Sequence, residues 1–214
     1  MRINIDLSKK SIENAIKQIK AVQKKAQKDL PRVFLGKCAE WIKAEANNNL
    51  SAIPMDGKVI NLIQSRWEIS PVVGNMIKIS NTAKYQDGRN IAVFVEFGVG
   101  VVGQSSPKEP DFQREAIARS GYQYNLPSDY KRSSRNPNSK YHNNEDAWRF
   151  YISPDKGVDL HTGYYEEYET SSGNTKIVTA GSPANMFLFK AWKTFETSGA
   201  YKTLWEQAKA EVIG

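Results

Sequence analysis

Apolar residues recur at helical spacing over residues 8–30, at Ile12, Ile16, Ile19 and Val22, which predicts an amphipathic helix. Lys9, Lys10, Lys17, Lys20, Lys24, Lys25 and Lys28 fall mostly on its other faces. Pro31 suits a first helical turn, so a second helix is expected to start there, carrying Phe34, Cys38, Trp41, Ile42 and Ala46 on one face and ending in Asn47-Asn48-Asn49. A short helical piece is expected over 58–63, after a loop with Pro54 and Gly57. Apolar and polar positions alternate over 66–70 and 76–80, across a turn at 71–75, which reads as a hairpin with one packed face. The apolar run Ile91–Phe97 predicts a third strand, and residues 176–180 a fourth. A last helix is expected from about 184 to 212, with Phe187, Leu188, Ala191, Trp192, Phe195, Leu204, Trp205 and Ala208 on its apolar side and Gly199 able to bend or interrupt it. Trp41 and Trp192, central to their faces, are expected to be buried.

These elements predict an α+β fold: two N-terminal amphipathic helices and a long C-terminal helix packed on a small, mainly antiparallel sheet. The 214 residues suit a single domain. Within it, residues of about 104–173 turn to Ser, Asn, Pro, Tyr and charge, most strongly over 131–140. This composition predicts a long, partly mobile insertion contributing little core, with first proteolytic cleavage between Ser128 and Asn144. Its aromatics, from Tyr122 and Tyr124 to Trp148, Phe150 and Tyr151, argue against full disorder and serve either a partner or the domain itself.

Charge refines this picture. The net +7 lies entirely in residues 1–43, which hold 11 Lys/Arg and 4 Asp/Glu, whereas residues 44–214 hold 19 of each. A solvated lysine-rich helix surface is the plainer interpretation, and loose attraction to nucleic-acid phosphates or an acidic partner is the other. Hydrophobic content of 40% supports a core, no apolar run reaches membrane-spanning length, and the first ten residues lack the apolar stretch of a signal peptide, so a soluble protein is expected. The lone Cys38 permits no internal disulfide and is expected in the core.

Candidate chemistry is sparse. Gly98, Gly100 and Gly103 spell G-x-G-x-x-G, which after a strand is the fingerprint of a dinucleotide-binding turn. Pro107 and Pro110 follow where the phosphate-binding helix should begin, and no acid lies at the ribose position, so no cofactor is expected. Instead, Pro110 and Asp111 suit the start of a later helix. His142 with Glu145 and Asp146 forms the one conceivable metal cluster, and a polar loop accounts for it better; His161 has no ligand spacing around it. No nucleophile elbow, phosphate loop or Cys–His pair is evident, so no enzyme is expected.

The segment VFVEFGVG, residues 93–100, resembles the Y-V-E-F-G-T-G segment of the tail-completion, or head-to-tail joining, family of long-tailed, lambda-like bacteriophages. Other features are similar to that family too: the paired N-terminal helices, PMDGKVINLIQS where T-G-x-L-x-x-S is usual, the hairpin, residues 148–163, and a last helix opened by SPANMFLFKAW. Pro183, Ala184, Phe187 and Ala191 match the family's P-A-x-P-F and its following alanine. Val99 stands in place of the usual threonine, and Asn185-Met186 in place of the second proline region. The resemblance implies a structural, non-catalytic role in the virion neck, with assembly in the host cytoplasm. It implies a homo-oligomeric ring between the portal and adaptor of the DNA-filled head and the tail terminator or tail tube, with no membrane contact. Glu96, Phe97, Gly98, Gly100, Pro183 and Phe187 are the implied interface residues, and loose contact of the basic helices with packaged DNA fits the charge asymmetry. A basic nucleic-acid-associated protein is the alternative.

Overall fold

The computed structural model describes residues 9–84, 88–124, 136–152, 162–170 and 175–213. The fold is α+β, as the hydrophobic pattern predicts. The residues group into two compact units: unit 1 comprises 1–44, 69–79 and 192–214, and unit 2 comprises 45–68 and 80–191. The unit boundaries fall inside continuous elements, twice in helices and twice in a hairpin.

The expected pair of N-terminal helices is one helix, α1, Lys9–Ser51, of 43 residues with Pro31 inside it. Proline in a helix interior removes one hydrogen bond and crowds the preceding turn, at a cost of about 3 kcal/mol. Burial on both sides of Pro31 offsets that cost, because Leu30, Val33 and Phe34 pack on Ala208, Val212 and Ile213, and each buried aliphatic side chain contributes roughly 1.5–3 kcal/mol. The long C-terminal helix is in turn two helices, α6 (Phe187–Ser198) and α7 (Ala200–Ile213). Gly199 between them has φ +71°, so it interrupts the helix as its chemistry allows.

Within unit 1, residue numbers rise along α6 and α7 as they fall along α1. Trp41 meets Phe195 at 5.5 Å, Phe34 meets Trp205 edge-on at 5.2 Å, and Leu30 meets Ala208 and Val212. The Lys37–Glu211 ion pair, 2.9 Å, spans the same seam. Trp41 is half-buried and Trp192 is 46% exposed, so neither is the core residue that its helical face suggested.

Unit 2 holds α2 (Gly57–Gln64), capped by Asp56 accepting from Lys58 N–H at 2.7 Å. The hairpin β1 (Trp67–Ile69) and β2 (Ile79–Asn81) forms as expected. In unit 2 it is fastened by Asn81 Nδ2 donating to Ile63 O at 2.7 Å and by Trp67 Nε1 donating to Asn47 Oδ1 at 2.7 Å.

The region 104–173 is less of an excursion than its composition suggests. It supplies β3 (Trp148–Ile152) and β4 (Tyr165–Glu169), which flank the expected strand, β5 (Thr175–Thr179), in an antiparallel sheet of order β3-β5-β4. Trp148 and Tyr165 both pair with Thr179. Tyr141 and Ala147 are buried with Val178 and Ala180, so this polar stretch does contribute core. The helix expected from Pro110 is present as a π-helical turn, Phe112–Ile117, continued by α5 (Ala118–Ser120), and Phe112 is fully buried. Residues 125–135, which include the first part of the expected cleavage region, lie outside the described residues.

Candidate functional site

The main departure from expectation lies at Ile91–Phe97, which is a helix, α3, and not a strand. Its β-branched, aromatic composition favours a strand by propensity, a preference that tertiary context overrides. Local capping selects the helix: Asn90 accepts from Val93 N–H at 3.2 Å at one end, and Gly98, φ +81°, donates its N–H to Phe94 O at the other. Ile91, Ala92, Val95, Glu96 and Phe97 are buried and Val93 is exposed, a helical pattern of burial.

The last turn of α3 receives the first turn of α6. Glu96 is 8% exposed, and its two carboxylate oxygens accept from Leu188 N–H at 2.9 Å and Phe189 N–H at 3.0 Å. Asn185 N–H and Met186 N–H donate to the carbonyls of Val95 and Glu96, and Asn185 Nδ2 donates to Val95 O at 3.1 Å. The carboxylate thus caps a helix N-terminus whose free N–H groups and dipole favour negative charge. Burial nonetheless pushes the Glu96 pKa up to about 7, against the downward pull of the Leu188, Phe189 and Phe187 N–H groups and the Lys190 charge.

Beyond Gly98 the chain enters α4 (Gly100–Ser105) alongside β6 (Gly181–Ser182), through bridges of Val99 with Ser182 and Gly100 with Gly181. The two backbones approach too closely for side chains. Gly181 has φ +122°, and a Cβ there would overlap the Val99 carbonyl; Gly100 has φ +62°, and a Cβ would lie 2.6 Å from Ala180 O. A Cβ on Gly98 would meet Ala184 N and one on Gly103 would meet the Gly98 carbonyl carbon, each at 2.6 Å. The glycines of the G-x-G-x-x-G string therefore make room for the chain's own backbone, and the element before them is a helix. A dinucleotide turn needs a strand there and open space beside the glycines.

Polar side chains close the remaining backbone groups of the junction. Tyr122 OH donates to Gly98 O at 2.5 Å, and Ala184 N–H donates to Ser106 Oγ at 3.1 Å. Lys108 Nζ donates to the carbonyls of Gly103, Gln104 and Ser106 at the end of α4. Phe97 packs on Phe112 and Met186 in one aromatic cluster with Tyr122 and Phe189.

The structure thus brings together all six residues singled out from the sequence. Glu96, Phe97, Gly98, Gly100 and Phe187 are buried and Pro183 is half-buried, so they build the interior of unit 2 at this place. The apolar side chains exposed beside them are Val93 on α3 and Val101 on α4. Asn90, Ser106, Tyr122 and Asn185 are not among those six; of these, Tyr122 is one of the aromatics that serve either a partner or the domain, and here it serves the domain, while the Asn90–Gly98 bracket is a helix-cap signature readable in sequence. Elsewhere, Cys38 is buried as expected and burial raises its thiol pKa. Among the described residues no group of three or more His, Cys, Asp and Glu side chains is placed to hold a metal ion; His161 lies outside them. No helix among them is long and apolar enough to cross a membrane. Compared with protein-family models, curated proteins and solved structures, the chain matches none.

Proposed function

We propose that this chain is a structural protein of a phage neck, a tail-completion component that joins the DNA-filled head to the tail. The observation that supports this reading most is the convergence of two separated segments that carry the family resemblance, VFVEFGVG and SPANMF, through the Val99–Ser182 and Gly100–Gly181 bridges and the Glu96 cap. Segments that resemble a family only by chance have no reason to build one another's backbone environment.

On this reading Glu96, Phe97, Gly98, Gly100, Pro183 and Phe187 shape the α3–α4 surface, and Val93 and Val101 present it to a neighbouring subunit or to the adaptor. A closed ring requires two different surfaces of one subunit to meet, and this is proposed as one of them. The role is non-catalytic: the junction's one buried acid is spent on capping a helix. Its place is the virion, reached from the host cytoplasm during assembly.

Disrupting the gene in the phage that carries it tests the proposal. The expected result is DNA-filled heads and complete, unattached tails, with joining restored by purified protein. Properly tailed, infectious particles from the null mutant overturn it, as does a null mutant that makes no tails or no packaged heads.

A second reading, a basic nucleic-acid-associated protein, is favoured by one observation. Unit 1 carries 15 Lys/Arg against 7 Asp/Glu, a net +8, while unit 2 carries 15 against 16, a net −1. Salt-steep binding to duplex DNA of arbitrary sequence, abolished by Lys17→Glu with Lys24→Glu, is the outcome that would select it.

A further inference from the structure

The apolar face of α1 that packs on α7 runs on toward the start of α1. At 100° per residue, Leu30, Val33 and Phe34 share one side of the helix, and so do Ile12, Ile16, Ile19, Val22 and Ala26. The first three pack on the end of α7, at Ala208, Val212 and Ile213. The earlier ones continue the same seam for roughly 30 Å toward the start of α1. There Ile12, Ile16 and Ile19 are 42%, 47% and 51% exposed, although Ala15 between them is buried. Three large aliphatic side chains in line, continuous with an established helix–helix seam, form an exposed apolar stripe of the kind that receives a second helix.

The charge around the seam selects the occupant. Residues 9–30 hold seven lysines and two acids, Glu13 and Asp29, and Lys10, Lys17, Lys20, Lys24, Lys25 and Lys28 make no ion pair among the described residues. A second copy of this helix would bring a net +5 against a net +5. An amphipathic helix with an acidic polar side would gain both the apolar seam and the field.

We propose that the N-terminal half of α1 is the docking surface for an acidic amphipathic helix of a partner protein, laid along the seam in continuation of α7. The proposal is independent of the neck reading.

The test uses the full chain and a labelled synthetic helix of roughly four heptads, with leucine at the seam positions and glutamate flanking them. The expected result is saturable binding in the micromolar range, weakened at least about tenfold by the triple change Ile12→Ser, Ile16→Ser and Ile19→Ser. Circular dichroism and the thermal midpoint of that variant should match the parent, because all three side chains are exposed. A serine-seam acidic peptide and a leucine-seam lysine peptide should not saturate.

Four results overturn the proposal. The first is no binding of the leucine–glutamate helix, and the second is equal binding of the serine-seam peptide, which would mean charge alone. The third is self-association in sedimentation, lost in the triple variant, which makes a second copy the occupant. The fourth is tighter binding to duplex DNA or to phosphatidylglycerol vesicles than to the peptide, which reassigns the surface to a polyanion or a membrane.

Discussion

The α3–α6 junction and the first half of α1 carry similar aliphatic residues and end up in opposite environments. At the junction Ile91, Val95 and Phe97 are buried, the Leu188 and Phe189 N–H groups at the α6 entrance are capped by Glu96, and Gly98, Gly100 and Gly181 let two stretches of backbone touch. Along α1, Ile12, Ile16 and Ile19 stand in solvent amid lysines. Hydrophobicity alone does not separate the two. Capping and close-approach residues do: Asn90, Glu96 and the glycines commit the first segment to contacts within the chain, while the second has only helical spacing. A segment with apolar residues and no such commitments is available to something else.

Gly181→Ala breaks the first side of that comparison most severely. The added Cβ collides with the Val99 carbonyl at a φ, +122°, that L residues rarely adopt, and neither backbone can retreat without undoing the Gly100 contact. A loss of at least about 4 kcal/mol, or failure of unit 2 to fold, is expected in chemical denaturation. A loss below about 1 kcal/mol would mean that the two backbones are not in contact.

Glu96 should make unit 2 pH-dependent in an unusual direction. Its pKa is raised from 4.5 to about 7 on folding, so between those values the folded state binds more protons than the unfolded state. Stability therefore falls as pH rises from about 4.5 to 7 and levels off above, by up to about 3 kcal/mol at 1.36 kcal/mol per pH unit. Glu96→Gln should remove this slope while weakening the cap, since an amide offers one acceptor to two N–H donors. Thermal midpoints at pH 5 and pH 8, for both proteins, check it; a parent more stable at pH 8 would show that hydrogen bonding outweighs burial at this acid.

How legible all this was depended on range. The α+β class, the hairpin, β5 and the break at Gly199 follow from periodicity and turn chemistry, which act over a few residues. Pro31 was ambiguous because proline suits a first turn and is also tolerated in an interior when both flanking faces are buried, and those faces are supplied by α7, far along the chain. Ile91–Phe97 reads as a strand by its β-branched composition, and the Asn90 and Gly98 caps make it a helix. The six residues implied by the resemblance do meet, but the sequence does not reveal that they meet in the interior of unit 2. β3 and β4 were hidden because they lie in a stretch of polar composition and because β4, Tyr-Glu-Glu-Tyr-Glu, mixes charge with aromatics without a clean alternation.

Gly36→Ala sharpens the contrast by its sign. Gly36 lies within α1 with nothing within 4 Å of its missing Cβ and no positive φ, so the methyl meets no obstacle and lowers the entropy of the unfolded chain. A gain of roughly 1 kcal/mol is expected from helix propensity, against the loss predicted for the same chemical change at Gly181. Destabilisation at Gly36 would place a neighbour against that face of α1.

The smallest effect is the most diagnostic for the second region. If the α1 seam is unoccupied in the isolated protein, Ile12→Ser, Ile16→Ser and Ile19→Ser should each change stability by no more than about 0.5 kcal/mol, as exposed substitutions do. Serine also has a lower helix propensity than isoleucine by little or nothing, so the backbone gives no separate penalty. The same change at Leu30, which is 8% exposed against Ala208 and Val212, removes a packed side chain from the same face and should cost about 2–5 kcal/mol. The ratio between the positions, measured in one denaturation series, locates the point along α1 where intramolecular packing ends. Losses above 2 kcal/mol at Ile16 and Ile19 would mean that the seam is already filled within the chain, and α1 would then be a core helix along its whole length.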